Sequence, residues 1–135
     1  MADVLGWAGL NPGHWIPLLT RVLIVDDDPQ FRRTLRIALT TLGYEVADAA
    51  SGSEAMESMK ASLPDIILID WQMPDMDGLQ TCQAVRGSYD VPVMIITGNR
   101  ANPRAKAMAA GASAFLTKPF SVQDLMARIE STLKH

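Results

Sequence analysis

The chain has 135 residues, 48% of them hydrophobic and 20% charged, with a formal net charge of −3. A chain of that length and balance is expected to form one soluble globular domain that buries about two-thirds of its unfolded surface. The mild acidity favours neither nucleic acid nor an anionic membrane, and no apolar stretch approaches the ~20 residues that span a bilayer. Cys82 is the single cysteine, which excludes an internal disulfide and a multi-cysteine zinc site; a reducing cytoplasm is the expected compartment. Cys82 lies at helical spacing without a paired histidine, so packing is its expected role.

Residues 1–20 hold one acid, Asp3, and no Lys or Arg, with Trp7 and Trp15 among Gly, Pro and Asn. A secretory signal needs a basic start and an unbroken apolar core, and neither is present. Asn11-Pro12-Gly13 would break a helix. This segment is expected to be an extension outside the domain core, which would occupy residues 21–135.

From Arg21 the pattern alternates strand and helix. The first strand is expected over Val22–Asp26. A helix follows, capped by Asp28, with Pro29 in its first turn and Gly43 just past its end. Its apolar set is Phe31, Leu35, Ile37, Ala38, Leu39 and Leu42. Tyr44–Ala49 reads as the second strand, and Ser51-Gly52-Ser53-Glu54 as a capping box opening a helix to about Ser62, with Met56 and Met59 facing the core. Ile66–Asp70 is the third strand. The turn-rich stretch Trp71-Gln72-Met73-Pro74-Asp75-Met76-Asp77-Gly78 leads to a helix over roughly Leu79–Arg86, in which Asp75 and Asp77 shape the turn and Asp77 caps. Val93–Thr97 is the fourth strand. A helix opened by Asn102-Pro103 and ended by Gly111 precedes the fifth strand, Ser113–Leu116. Ser121 and Asp124 then offer a second capping box for the last helix.

Strands apolar on both faces, alternating with helices, imply a parallel sheet covered on both sides. The expected fold is α/β: a flavodoxin-like, doubly wound, five-stranded parallel sheet of order 2-1-3-4-5. In that order the first and third strands are neighbours, and ligands sit beyond the carboxyl ends of the strands. Asp26, Asp27 and Asp70 therefore converge. Buried strands that end in clustered carboxylates need a cation nearby, and an all-oxygen site of this kind suits Mg²⁺. Asp28 needs no such partner if it is only an N-cap. Thr97 and Lys118 border the acids. A carboxylate nucleophile, a metal and two groups able to hold phosphoryl oxygens are the parts of a phosphoryl-transfer site.

These residues resemble the receiver domain of two-component response regulators, of the chemotaxis type among others. The resemblance rests on Val25-Asp26-Asp27-Asp28-Pro29, on Asp70 through Gly78, on Thr97-Gly98 and on Lys118-Pro119-Phe120, in that order and each at a strand end. It implies that Asp70 accepts a phosphoryl group from a phosphohistidine on a sensor histidine kinase or a histidine phosphotransfer protein. It implies Mg²⁺ held by Asp27, Asp70 and the backbone carbonyl of Gln72, with Asp26 acting largely through water. Thr97 would bond a phosphoryl oxygen and move inward on activation, and Lys118 would pair with the phosphoryl group before a cis bond to Pro119. Gly98 would leave the entrance open. Phe115 falls at the family's switch aromatic, often Tyr, and lacks the hydroxyl; simple packing is its alternative role.

As such a domain the chain would be no metabolic enzyme, catalysing only its own phosphorylation and dephosphorylation. Signal would leave through the fourth helix, fifth strand and fifth helix to an output protein or an effector domain not in this sequence, with no direct contact to nucleic acid or membrane. Relatives that dimerise through that face use a Gly-Ala-Asp-Asp stretch against basic partners. Here it reads Gly111-Ala112-Ser113-Ala114, opposite Arg128, so a monomer is expected. Two other readings stand beside this one. Asp75-Met76-Asp77-Gly78 superficially resembles the motif of haloacid-dehalogenase-like phosphatases, although Asp75 follows Pro74 within a loop. A receiver-like module could also bind its partner without phosphorylation, but such modules lose the acids or the lysine that this chain keeps.

Overall fold

The computed structural model describes residues 20–71, 78–98 and 104–134. The readings of residues 1–19, Gln72, Asp75, Asp77 and Asn102-Pro103 lie outside these residues. Five strands and five helices alternate along the described chain: β1 (Arg21–Val25), α1 (Pro29–Thr41), β2 (Glu45–Ala49), α2 (Gly52–Ala61), β3 (Ile66–Asp70), α3 (Gly78–Ser88), β4 (Val93–Thr97), α4 (Arg104–Ala109), β5 (Ala114–Thr117) and α5 (Val122–Leu133). The strands form one sheet of order β2-β1-β3-β4-β5, and every neighbouring pair is parallel. This is the expected doubly wound α/β fold. Among the described residues no helix is long and apolar enough to cross a membrane.

Alternation along each strand sends successive side chains to opposite faces, so a strand apolar at every position builds two cores at once. Leu23, Val25, Ile67, Ile69, Val93 and Ile95 pack on one side with Met59, Cys82, Val85 and Ala107 of α2, α3 and α4. Val22, Ile24, Ile66, Leu68, Met94 and Ile96 pack on the other with Leu35 and Leu39 of α1 and Leu125 and Ile129 of α5. Each such side chain contributes about 1.5–3 kcal/mol through burial. The sheet is thus dry on both faces, and polar groups on the inner strands are confined to their ends.

The helix starts follow the residue chemistry. The Asp28 carboxylate caps α1 by accepting from the N–H groups of Gln30 at 2.9 Å and Phe31 at 3.3 Å. Ser121 and Asp124 close a reciprocal capping box on α5. At α2 the box expected from Ser51 and Glu54 is only half formed. Ser51 Oγ accepts from the Glu54 N–H, but the Glu54 carboxylate reaches past the cap to the N–H of Ala50. Gly43 adopts a φ of 99°, which lets the chain leave α1 in the left-handed region.

Several expected boundaries shift by a residue or two. β1 stops at Val25, although the Asp26 N–H still donates to the Ala49 carbonyl at 3.1 Å. β2 begins at Glu45 because the Tyr44 N–H turns back to the Leu39 carbonyl. β5 runs over Ala114–Thr117, and α3 extends to Ser88. Thr20, assigned by sequence to the extension, is buried, and its carbonyl accepts from the Glu45 N–H at 2.9 Å. Two of the apolar residues assigned to the core face of α1 are exposed: Ile37 at 59% and Leu42 at 43%. Leu35 and Leu39, four apart, occupy the face toward the sheet, and a residue midway between them points away. Leu42 is the C-cap, beyond the last packed turn.

Candidate functional site at the carboxyl edge of the sheet

Register brings the predicted site together. Val25 pairs with Ile69, so the residues that follow, Asp26 and Asp70, leave adjacent strands at the same level. Asp70 pairs with Ile96 and Thr97 with Thr117, which sets Thr97 and Lys118 one step further along the same edge. Hydrogen bonds continue beyond the strand ends. Trp71 N–H donates to the Ile96 carbonyl at 2.9 Å, and Lys118 N–H to the Thr97 carbonyl at 2.7 Å. The backbone is therefore anchored to the sheet at Asp26, through Ala49, just after Asp70, and at Lys118.

Oxygen atoms of Asp26, Asp27 and Asp70 lie within 4.8 Å of one another, with Asp26 buried, Asp27 exposed and Asp70 between. Lys118 Nζ stands 3.6 Å from Asp26 Oδ2 and 3.8 Å from Asp70 Oδ1. Asp26 is the constrained member. Its Oδ1 accepts from the Asp28 N–H at 2.9 Å, while its Oδ2 is buried without a hydrogen-bond partner. Burial pushes the Asp26 carboxyl above its ordinary value; the Asp28 N–H and the Lys118 ammonium pull the other way, and the charges of Asp27 and Asp28 add to the rise. An orphaned carboxylate oxygen facing two other carboxylates is the donor chemistry that a hard divalent cation satisfies.

Sequence reasoning missed several contributors. The Phe31 ring lies under the Lys118 ammonium, 4.0 Å from Nζ to centroid, and Phe120 meets Phe31 edge to face at 6.3 Å and 84°. Periodicity identifies Phe31 only as apolar; its place two residues after Pro29, in the turn beside the acids, was the available signal. Arg32 Nη1 donates to the Asp26 carbonyl at 2.8 Å, bracing the turn that carries the acid pair. Gly78 packs against the other acid-bearing turn. A Cβ there would fall 2.6 Å from both the Asp70 carbonyl oxygen and Trp71 Cα, and the Gly78 N–H donates to the Trp71 carbonyl at 2.8 Å. Only glycine permits that approach. At Gly98 a Cβ would meet Lys118 Cβ at an ordinary 3.9 Å, so packing does not demand glycine there.

Thr97 is buried at the end of β4. The Lys118–Pro119 bond is cis, as the resemblance implied. Phe115 is buried in the core, with the Arg104 guanidinium 6.0 Å from its ring centroid. Arg128, the basic half of a dimer pattern whose acids this sequence lacks, donates from Nη1 to the Phe115 carbonyl at 2.6 Å and so ties α5 to β5. Cys82 is buried, and burial raises its thiol, in keeping with a packing role.

A two-sided α/β sheet gathers three acids, a threonine and a lysine at its carboxyl edge, where open α/β sheets bind their ligands. Residues 22–130 match the Response regulator receiver domain. The regulatory protein KdpE of Mycobacterium tuberculosis (strain ATCC 25618 / H37Rv) is 34% identical over 117 residues, covering 86% of this chain and 52% of that protein. The response regulator MprA of the same strain is 37% identical over 116 residues, 84% of this chain and 50% of that protein. The chain spans about half the length of the curated relatives it matches. Among solved structures, the chemotaxis protein CheY4 of Vibrio cholerae superposes with a TM-score of 0.79 at 31% identity, covering 84% of this chain and 98% of that one. A CheY-like receiver domain protein from Methanospirillum hungatei JF-1 gives 0.80 at 30%, covering 86% and 94%. The chain belongs to the response regulator receiver domain family of two-component signalling.

The raised Asp26 carboxyl has a definite sign. A group whose folded value lies above its unfolded one contributes stability that is complete below the unfolded value and lost as pH rises through the folded one. At neutral pH the metal-free domain therefore carries the cost of ionising Asp26. Asp26→Asn should raise the melting temperature at neutral pH in the presence of chelator, and the gain should shrink as the solution is acidified. Thermal melts across pH check this; a variant less stable than the parent at neutral pH would contradict it.

Proposed function

We propose that this receiver domain takes a phosphoryl group onto Asp70 from a phosphohistidine of a sensor histidine kinase or histidine phosphotransfer protein, in the cytoplasm and with Mg²⁺. The observation that carries the reading is Lys118 Nζ set within 4 Å of both Asp26 and Asp70 in the three-carboxylate cluster. Asp26 is buried and engaged by the Asp28 N–H, and Asp27 is exposed on the turn. Asp70 ends the strand that lies between β1 and β4, a position that supports the acceptor role the family resemblance implies.

In the transfer, a carboxylate oxygen of Asp70 attacks phosphorus. A P–O bond forms, the P–N bond breaks, and the electron pair leaves on the imidazole nitrogen, which takes a proton from solvent. Lys118 balances charge on the phosphoryl oxygens, and the Thr97 hydroxyl donates to one of them. Attack of water on phosphorus later returns phosphate and free Asp70. Asp26, Asp27 and Asp70, with the Gln72 carbonyl that the family resemblance implies, would hold Mg²⁺. Bound there, the cation would offset the negative charge that the phosphoryl group brings to the acids. The domain acts only on itself and is not a metabolic enzyme.

The output surface is α4, β5 and α5. Thr97 moving toward the phosphoryl group opens space for Phe115, which as phenylalanine switches by packing and offers no hydroxyl to a reader. The reader is a second protein, or an effector domain in the same polypeptide, as the half-length match to the regulators would allow. Arg128 spends one donor on the Phe115 carbonyl, and Ser113 and Ala114 stand where dimerising relatives carry acids, so the domain is a monomer in both states.

Mg²⁺ with acetyl phosphate should add one phosphoryl group, located on Asp70 by borohydride trapping, and Asp70→Asn should abolish the addition without unfolding the chain. Label on Asp26, Asp27 or Asp75 would contradict the assignment. Sedimentation at micromolar concentration should return a monomer with and without beryllofluoride, and an activation-dependent dimer would overturn that part.

A further inference from the structure

We infer that Phe31 is a positioning residue for Lys118: the face of its ring holds the ammonium where it can engage a phosphoryl group on Asp70. The inference rests on the reading of Asp70 and Lys118 given above. Lys118 ends a flexible four-carbon stem and its side chain is 31% exposed, so nothing in its own geometry fixes the charge. The two carboxylates attract it but do not orient it through a hydrogen bond. They lie 3.6 and 3.8 Å from Nζ, beyond direct hydrogen-bond distance.

The Phe31 ring supplies the missing constraint. At 4.0 Å from Nζ to centroid it is well inside the range where a ring face attracts a cation. The backbone of Phe31 is held by its N–H to Asp28 at 3.3 Å, and its ring by a T-shaped contact with Phe120 at 84°. Edge-to-face contact directs the positive rim of one ring toward the negative face of another, an oriented rather than merely greasy contact. Phe31 and Phe120 also pack against the core between the sheet and α1 and α5. The ammonium is thus held by an apolar face on one side and two acids on the other. It stays close enough to serve Asp70, while its own hydrogen-bonding capacity is not spent on the carboxylates.

The test uses the full chain with Phe31→Leu, Phe31→Tyr and pentafluorophenylalanine at position 31. The last keeps the shape of the ring and reverses its charge distribution. Two readouts are taken: the rate of Mg²⁺-dependent phosphoryl uptake from acetyl phosphate, and the ring-current shift of the Lys118 ε-methylene protons by NMR. The leucine and pentafluoro forms should lower the rate about three- to tenfold. The tyrosine form should stay within about twofold, and the upfield shift should vanish with leucine and persist with tyrosine. A pentafluoro form as fast as the parent, or a tyrosine form as slow as leucine, assigns Phe31 to packing and overturns the inference alone. A parent chain that shows no upfield shift does the same. If the parent takes up no phosphoryl group, the acceptor reading fails and this inference falls with it.

Discussion

Three carboxylates meet at one edge of a sheet whose inner strands are apolar, with the Lys118 ammonium within 4 Å of two of them, and much of the described structure is arranged around that cluster. In a parallel sheet every strand ends at the same edge, so acids that terminate β1 and β3 are brought together by the topology itself. Both faces of the sheet are covered, so Asp26 cannot escape to water by tilting to one side. Its carboxyl is raised by burial, and one of its oxygens, though near Lys118, has no hydrogen-bond partner. Like charges held in this way oppose folding unless something else at the site favours them.

The backbone near the acids is correspondingly over-determined. Ladder hydrogen bonds run past the ends of β1, β3 and β5, Arg32 braces the Asp26 carbonyl, and Gly78 lies flush against Asp70 and Trp71. Such anchoring keeps the acids from relaxing apart, and it presents oxygen atoms at fixed separation to whatever binds. The same logic extends to the cation. Lys118 is anchored through its backbone to Thr97 and through its ammonium to the Phe31 ring. Phe31 of α1 and Phe120, just before α5, pack against the same core.

Much of this was legible in the sequence. The uninterrupted apolar runs at Val22–Val25 and Ile66–Ile69 announced strands buried on both faces, and their terminal aspartates announced the site. Pattern failed where tertiary geometry decides. Ile37 fits an apolar period yet faces solvent, because Leu35 and Leu39 already fill the sheet-facing stripe. Glu54 matched a capping box, but its carboxylate found a better donor in the Ala50 N–H. Spacing also gave no sign that Arg128 binds the carbonyl of Phe115, in a strand thirteen residues earlier. The aromatic contact to Lys118 could not be read from spacing either, since Phe31 and Lys118 meet only through the pairing of distant elements.

The most direct measurement of the central claim, that this edge is an electrostatically strained site built for a divalent cation, is the melting temperature of the chain titrated with Mg²⁺ at neutral pH and constant ionic strength. A ligand that binds the folded state alone stabilises it in proportion to RT ln(1 + [L]/Kd), so the account predicts a saturable rise over millimolar Mg²⁺. The rise should be absent with equivalent Na⁺ and lost in Asp27→Ala. A melting temperature that does not respond to Mg²⁺, or that responds equally in Asp27→Ala, would contradict it.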